Sequence, residues 1–390
     1  MSRSAAGRPR PAMLALLCWA AAAAVAPPAT TVTYHVAVTG LPLAAARPIS
    51  PGFVGLSIET YASVAMLGAA AAPRAALARG LANFARMTPG PHEGPVLRIG
   101  GNSADSSCWL PEVGGPPILP AAACSCGYNL TTADLDTYRA FANLASDLGA
   151  NVSFVLDTNL GCGSPALAAA HIAAISRASL WDIVSGIEVG NEIDKFPGSK
   201  RPATYSYADY AKEFAVHIAA YKPAGLPSRR IQGAVFCDFV SGFDAGLAEY
   251  ARDFRTDLGS LSYHSYSLHG GCTPLLAPQF PAPSCNTSSA YHREALLSPA
   301  ATVGHAAKYL SFAADAAVAA VPLVIGEGNT ESGGGWANAS DVFVSALWAL
   351  DWLPEISKAG AVRQNFHGGP DGWYCDIKCF SSFFVLCTFQ

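Results

Sequence analysis

The run ADLDTYRAFANLASDLGANVSFVLDTN, residues 133–159, decides the fold: an Ala-rich stretch suited to a helix (133–150) leads directly into a short β-rich run (151–159). The same alternation recurs along the chain. GFVGLSI (52–58), PVLRIGG (95–101), NVSFVLDTN (151–159), GIEVGNE (186–192), RIQGAVFCD (230–238), SLSYHSY (260–266), VPLVIGE (321–327) and AVRQNFHGG (361–369) read as strands. SYADYAKEFAVHIAAYK (206–222) and ATVGHAAKYLSFAADAAVAA (301–320) read as further helices. Parallel strands need helical crossovers, and eight of them close on themselves, so the expected fold is a (β/α)8 barrel with enlarged loops. A doubly wound sheet is the rival. It calls for a Gly-rich phosphate loop after the first strand, and GLSIETYAS has none.

Composition narrows the function classes. The 390 residues are 51% hydrophobic and 13% charged, which suits a large folded core and not a disordered chain. The net charge is −4 with no run of one sign, so neither nucleic acid nor an anionic membrane surface is an expected partner. After residue 30 no apolar run reaches the roughly 20 residues needed to cross a bilayer. Arg3, Arg8 and Arg10 precede the apolar run MLALLCWAAAAAVA, the layout of a signal peptide ending near residue 28, and a secreted product is expected. Ten of the 11 cysteines lie beyond that segment, with Cys108, Cys124 and Cys126 close together and Cys272 and Cys285 flanking a Pro-rich loop. Their spacing fits no structural zinc site, so disulfides are expected and no metal. Four Asn-X-Ser/Thr triplets, at Asn129, Asn151, Asn286 and Asn338, point the same way.

Chemistry in a (β/α)8 barrel sits at the C-terminal ends of the strands. Polar residues of catalytic type mark those ends: Glu59, Asn102, Asn159, Asn191 with Glu192, His264 with Tyr266, and Glu327. Two carboxylates at one pocket mouth are the equipment of a retaining glycosidase, where one attacks the anomeric carbon and the other protonates the leaving oxygen. Glu192 and Glu327 are the natural pair. Glu188 shares a strand face with Glu192 and is expected to partner Arg98 inside the barrel.

FVGLSIE, LRIGGNSAD, IEVGNEID, SYHSYS, VIGEGNTESGGG and RQNFHGG resemble, in order and spacing, the motifs of the heparanase-like β-glucuronidases, glycoside hydrolase family 79. The resemblance runs from about residue 50 to 375 and is nearer to the small-substrate β-glucuronidases than to heparanase. It implies hydrolysis of a β-linked glucuronic acid with retention and without cofactor. It makes Glu192 the general acid/base and Glu327 the nucleophile, with His264 and Tyr266 tuning the nucleophile. By the same resemblance Asn191 contacts the sugar 2-hydroxyl, Glu59 and Asn102 bind hydroxyls, and Gly333, Gly334 and Tyr374 hold the uronic carboxylate. Structural alternatives stand beside these roles: Asn191 and Glu192 as a helix cap and first turn, His264 and Tyr266 as barrel core, and the glycine run as a flexible loop. A neutral β-glycosidase and a non-hydrolysing carbohydrate-binding product are the alternative functions. Lys195, Lys200 and Arg201 form the only basic cluster near the acid/base.

Family members carry a C-terminal β-sandwich to which a strand before the barrel contributes, and TTVTYHVAVTG (30–40) looks like that strand. The expected organisation is therefore a signal peptide (1–28), a strand segment (29–48), a barrel (49–370) and an atypical or truncated tail (371–390). Without the sandwich, poor solubility is expected.

Overall fold

The computed structural model describes residues 49–50, 52–86, 94–110, 126–237, 243, 246–268 and 288–369. The expected signal peptide, the strand segment at 29–48, Tyr374 and the tail at 371–390 lie outside the described residues.

Eight parallel strands close a barrel: β1 (Val54–Glu59), β2 (Val96–Gly100), β3 (Ser153–Thr158), β4 (Val184–Val189), β5 (Ile231–Phe236), β6 (Leu258–Leu268), β7 (Leu323–Glu331) and β8 (Ala361–Gly368). Each pairs with the next, and β8 returns to β1 with Val54 opposite Gln364. All eight coincide with the runs read from the sequence. β2 and β5 are buried along their whole length, as expected when one face looks into the barrel and the other lies under helices. The doubly wound alternative is excluded by closure. A small two-stranded ribbon, Ser107–Trp109 with Tyr128–Leu130, was not legible as strands because each member is three residues long.

The helices begin where the sequence supplies caps. Thr131 and Asp134 form a capping box at the start of Thr132–Asp147, and Ser206 with Asp209 does the same for Tyr207–Tyr221. Helix Pro165–Arg177 starts on Ser164, whose Oγ accepts from the Leu167 N–H at 3.4 Å. The expected single helix at 301–320 is instead a π-helical turn (Ala300–Gly304), a 3-10 turn (Ala307–Tyr309) and a short α-helix (Leu310–Val318). The wide turn lets His305 reach inward, where its Nε2 lies 3.1 Å from Ser265 Oγ.

Cys108 and Cys126 form a disulfide that ties the first strand of the ribbon to the segment just before the second, and Cys162 is also disulfide-bonded. Among the described residues, no helix is long and apolar enough to cross a membrane.

An aromatic cluster fastens the helices to β5. Phe214, fully buried, packs on Phe254 at 4.5 Å and on Tyr250 at 5.2 Å between ring centroids, while Tyr210 meets Phe236 at 5.6 Å. Phe214→Ala should cost about 3–5 kcal/mol, because the surrounding rings cannot collapse into the space vacated. Denaturant unfolding checks this, and a loss below about 1 kcal/mol would mean that the cluster is loosely packed.

Candidate active site

The interior of the barrel beneath the strand ends is polar, whereas large branched side chains usually fill such barrels. Arg98 on β2 is fully buried and organises it. Its Nε donates to Glu188 Oε2 at 2.6 Å, and its Nη2 donates to Asn191 Oδ1 at 2.9 Å and lies 3.6 Å from Asp157 Oδ2. Nη1 donates to Ser57 Oγ at 3.1 Å and forms a short ion pair with Glu327 Oε2. Glu188 also accepts from Gln232 Nε2 at 2.8 Å and Ser262 Oγ at 3.2 Å. The expected Glu188–Arg98 pair is thus one arm of a network that draws on seven of the eight strands. Burial favours a neutral arginine, but the surrounding carboxylates reverse this and raise the Arg98 pKa above its ordinary value. Asp157 is pushed well above the usual carboxylate range, by burial and then by Glu188, against the opposing pull of Arg98.

Glu327 lies within β7, which continues to Glu331, and not at its end as expected. Its Oε1 accepts from Tyr266 Oη at 2.6 Å, and its Oε2 receives Arg98 and stands 3.5 Å from His367 Nδ1. Burial disfavours its charge, yet His367, His264 and Arg98 together outweigh burial and hold the carboxyl at about 2. Glu327 is therefore ionised across the ordinary pH range.

Glu192 follows β4 with φ +50°, in the left-handed region that a non-glycine residue adopts at a cost of about 1–3 kcal/mol. Two neighbouring bonds hold it there. Its N–H donates to Val235 O at 3.0 Å, and Asp194 accepts from the Cys237 N–H at 3.0 and 3.1 Å. Glu192 Oε1 lies 3.0 Å from His264 Nδ1, and Oε2 lies 2.9 Å from Lys195 Nζ. Burial opposes its charge, but Lys195 and His264 prevail and hold Glu192 well below the usual glutamate range. The expectation of a carboxylic acid that waits protonated is not met in the free site: Glu192, like Glu327, is held below the usual glutamate range.

One oxygen of each glutamate and Nδ1 of His264 lie within 4.8 Å of one another. The separation of two carboxyl groups distinguishes inverting glycosidases, at about 6.5–9.5 Å, from retaining ones, at about 5–5.5 Å. The same three atoms would suit a cation by distance alone. Arg98 and Lys195 already neutralise both carboxylates, and a third positive charge between them is disfavoured.

The other expected residues divide. Tyr266 meets the nucleophile candidate as expected, but His264 lies nearer Glu192, at 3.0 Å against 3.8 Å from Glu327. Asn191 is joined to Asn102 through Nδ2 to Oδ1 at 3.1 Å as well as to Arg98, so these two form one unit. Glu59 braces the turn after β2, accepting from the N–H groups of Asn102 at 3.3 Å and Ser103 at 2.9 Å. That turn needs glycine at 101, where φ is +76° and a Cβ would strike the Glu59 carboxylate at 2.5 Å. Asn159 holds the loop to Cys162 and accepts from its N–H at 2.9 Å, a structural role. Gly333, Gly334 and Gly335 follow β7 with φ of +77°, +98° and +85°, a backbone path that L side chains rarely adopt. Gly333 is exposed and Gly334 half-buried.

Ser57, Asp157 and His367 were not singled out from the sequence. His367 closes β8 within RQNFHGG, so the strand-end criterion that selected the others could have found it. Asp157 carried no signal, since only the pairing of β2 with β3 brings it to Arg98.

No protein-family model matches the chain, and no curated protein matches it. Among solved structures, a 4-O-α-L-rhamnosyl-β-D-glucuronidase from Fusarium oxysporum 12S matches with a TM-score of 0.64 at 18% identity, covering 87% of this chain and 69% of that one. A glycoside hydrolase family 44 xyloglucanase from Paenibacillus polymyxa matches at 0.50 with 11% identity, covering 87% and 76%. At these identities the likeness establishes the shared barrel fold.

Arg98→Met should leave Glu188, Asp157 and Glu327 facing one another without a cation, at a cost of about 3–5 kcal/mol near neutral pH. Loss of this cation raises the folded pKa of Glu327, so that, once it passes the unfolded value, the variant is most stable below the unfolded pKa and loses stability as pH rises. The wild type behaves oppositely for Glu327: its depressed pKa contributes stability that is present above about 4.3 and lost as pH falls toward about 2. Thermal unfolding of both proteins across pH 3–8 reads the two slopes; parallel curves would refute the assignment.

Proposed function

We propose that this protein is a retaining β-glycosidase, specifically a β-glucuronidase, with Glu327 as nucleophile and Glu192 as general acid/base. The observation that carries this reading is the buried Glu192–Glu327 pair at the C-terminal mouth of the barrel, with oxygens within 4.8 Å. Support for the class also comes from the barrel shared with two glycoside hydrolases, one of them a glucuronidase by name. The finer reading rests on the motif resemblance and on the glycine run beyond Glu331. Three consecutive left-handed glycines can bring N–H groups close to an anion, and their proposed ligand is the C6 carboxylate. The proposed organisation keeps the signal peptide and the secretory route, which suit the Cys108–Cys126 disulfide.

In the proposed mechanism Glu327, ionised and aligned by Arg98 and Tyr266, attacks the anomeric carbon while Glu192 protonates the departing oxygen. Asn191, fixed by Arg98, faces the 2-hydroxyl. Glu192 then takes the proton from the water that releases the glycosyl group from Glu327.

Glu327→Gln should abolish turnover, while Glu192→Ala should slow poor leaving groups far more than good ones, because an oxygen of low pKa departs without protonation. Equal losses across a leaving-group series would remove the acid role.

Because Lys195 and His264 hold Glu192 ionised, kcat/KM should be greatest in acid and fall toward neutral pH, its alkaline limb reporting Glu192 in the free enzyme. A profile flat from pH 4 to 7 would contradict this. On matched aryl substrates, the glucuronide should exceed the glucoside by on the order of a hundredfold, about 3 kcal/mol. Gly334→Val should erase that preference; equal loss on both substrates would show that the glycine run does not bind the carboxylate.

A further inference from the structure

Lys195 stands on the short turn Ile193–Lys195 after β4, with its side chain about one-third exposed and its ammonium 2.9 Å from Glu192 Oε2. A group that must deliver a proton is thus bonded to a cation that stabilises its ionised form. Among the described residues, the charged and titratable groups facing Glu192 are Lys195 on its own turn, His264 from β6 and Glu327 from β7. His264 is fully buried between the two carboxylates, and Arg98 is committed to Glu327, Glu188 and Asp157. Among the described residues, the ammonium of Lys195 is the contact of Glu192 whose side chain is partly exposed.

Resting on the glycosidase reading above, we propose that Lys195 is a specificity-determining residue that exchanges Glu192 for an anionic group on the leaving-group side of the substrate. Geometry fixes where that anion sits. Glu192 must come within about 3.2 Å of the scissile oxygen to protonate it. Lys195 Nζ is 2.9 Å from Glu192, so its ligand lies within about one sugar or aryl ring of that oxygen. When the anion draws the ammonium away, Glu192 loses its nearest cation and takes a proton from solvent. That proton later passes to the departing oxygen, and no other bond changes in the exchange. The substrate class is therefore a β-glycoside whose aglycone carries a carboxylate or a sulfate beside the linkage, and a single lysine suits one such charge better than a densely sulfated chain.

The test uses the full chain and three aryl glycosides with 3-carboxyphenyl, 3-sulfophenyl and 3-carbamoylphenyl leaving groups, each made as the glucuronide and the glucoside. The wild type should favour the anionic leaving groups over the neutral amide by about tenfold, equivalent to about 1.4 kcal/mol for a partly exposed ion pair. Comparison of the two anions separates carboxylate from sulfonate, which stands in for sulfate. Lys195→Met should bring the ratio to about one, Lys195→Arg should keep it, and the alkaline limb of kcat/KM for the amide should move to higher pH in the Met variant. A structural role alone would lower all three rates together and leave the limb in place. Reading the aglycone ratio within each sugar separates this proposal from the glucuronide reading, since loss of sugar preference leaves the ratio intact. Calorimetric binding of 3-hydroxybenzoate against 3-hydroxybenzamide needs no turnover: about tenfold tighter binding of the acid, abolished in Lys195→Met, supports the exchange. An undiminished ratio in the Met variant, or no preference in the wild type, overturns it.

Discussion

The buried guanidinium of Arg98 is the constraint on which the rest of the barrel depends. A fully buried cation is tolerable only when its donors are all engaged, and Arg98 engages Ser57, Glu188, Asn191 and Glu327 from different parts of the barrel while lying near Asp157. This explains why Glu188, Gln232 and Ser262 form a hydrogen-bonded layer where apolar packing is usual. The charges must be matched as a set, because removing one leaves its partners unpaired in a medium of low dielectric. The stability of the barrel and the ionisation of Glu327 are therefore one problem with one solution.

Two identical side chains acquire different characters from that arrangement. Glu327 is gripped by buried groups on other strands, Tyr266, Arg98 and His367. Glu192 sits on a left-handed turn, and its cation is a half-buried lysine on a flexible stem. The first suits a nucleophile that must always be ionised. The second suits a group whose proton comes and goes during each turnover, provided that something displaces the ammonium.

The rest of the basic cluster is engaged elsewhere. Lys200 forms a short ion pair with buried Asp105, and Arg201 is engaged with Glu213, so Lys195 is the member of the cluster that pairs with Glu192.

The sequence by itself determined the eight strands, because a parallel barrel buries both faces of every strand and so writes short β-rich runs between helical ones that read without knowledge of contacts. It also determined which chemistry stood at the strand ends: Glu192, His264, Tyr266 and Glu327 were visible from position alone. The small ribbon and the broken helix at 300–318 were not, since three-residue strands and a π turn leave no period to detect. What only the tertiary structure decided is the wiring. Glu59 turned inward to hold a loop, His264 chose Glu192 over Glu327, Asp157 and His367 joined the site, and Lys195 closed on the acid candidate. Each of these is a contact, or a charge state set by contacts, between strands distant in sequence or across a strained turn. A linear pattern records which residues are present, whereas protonation and pairing depend on distances of a few ångströms that exist only once the barrel closes.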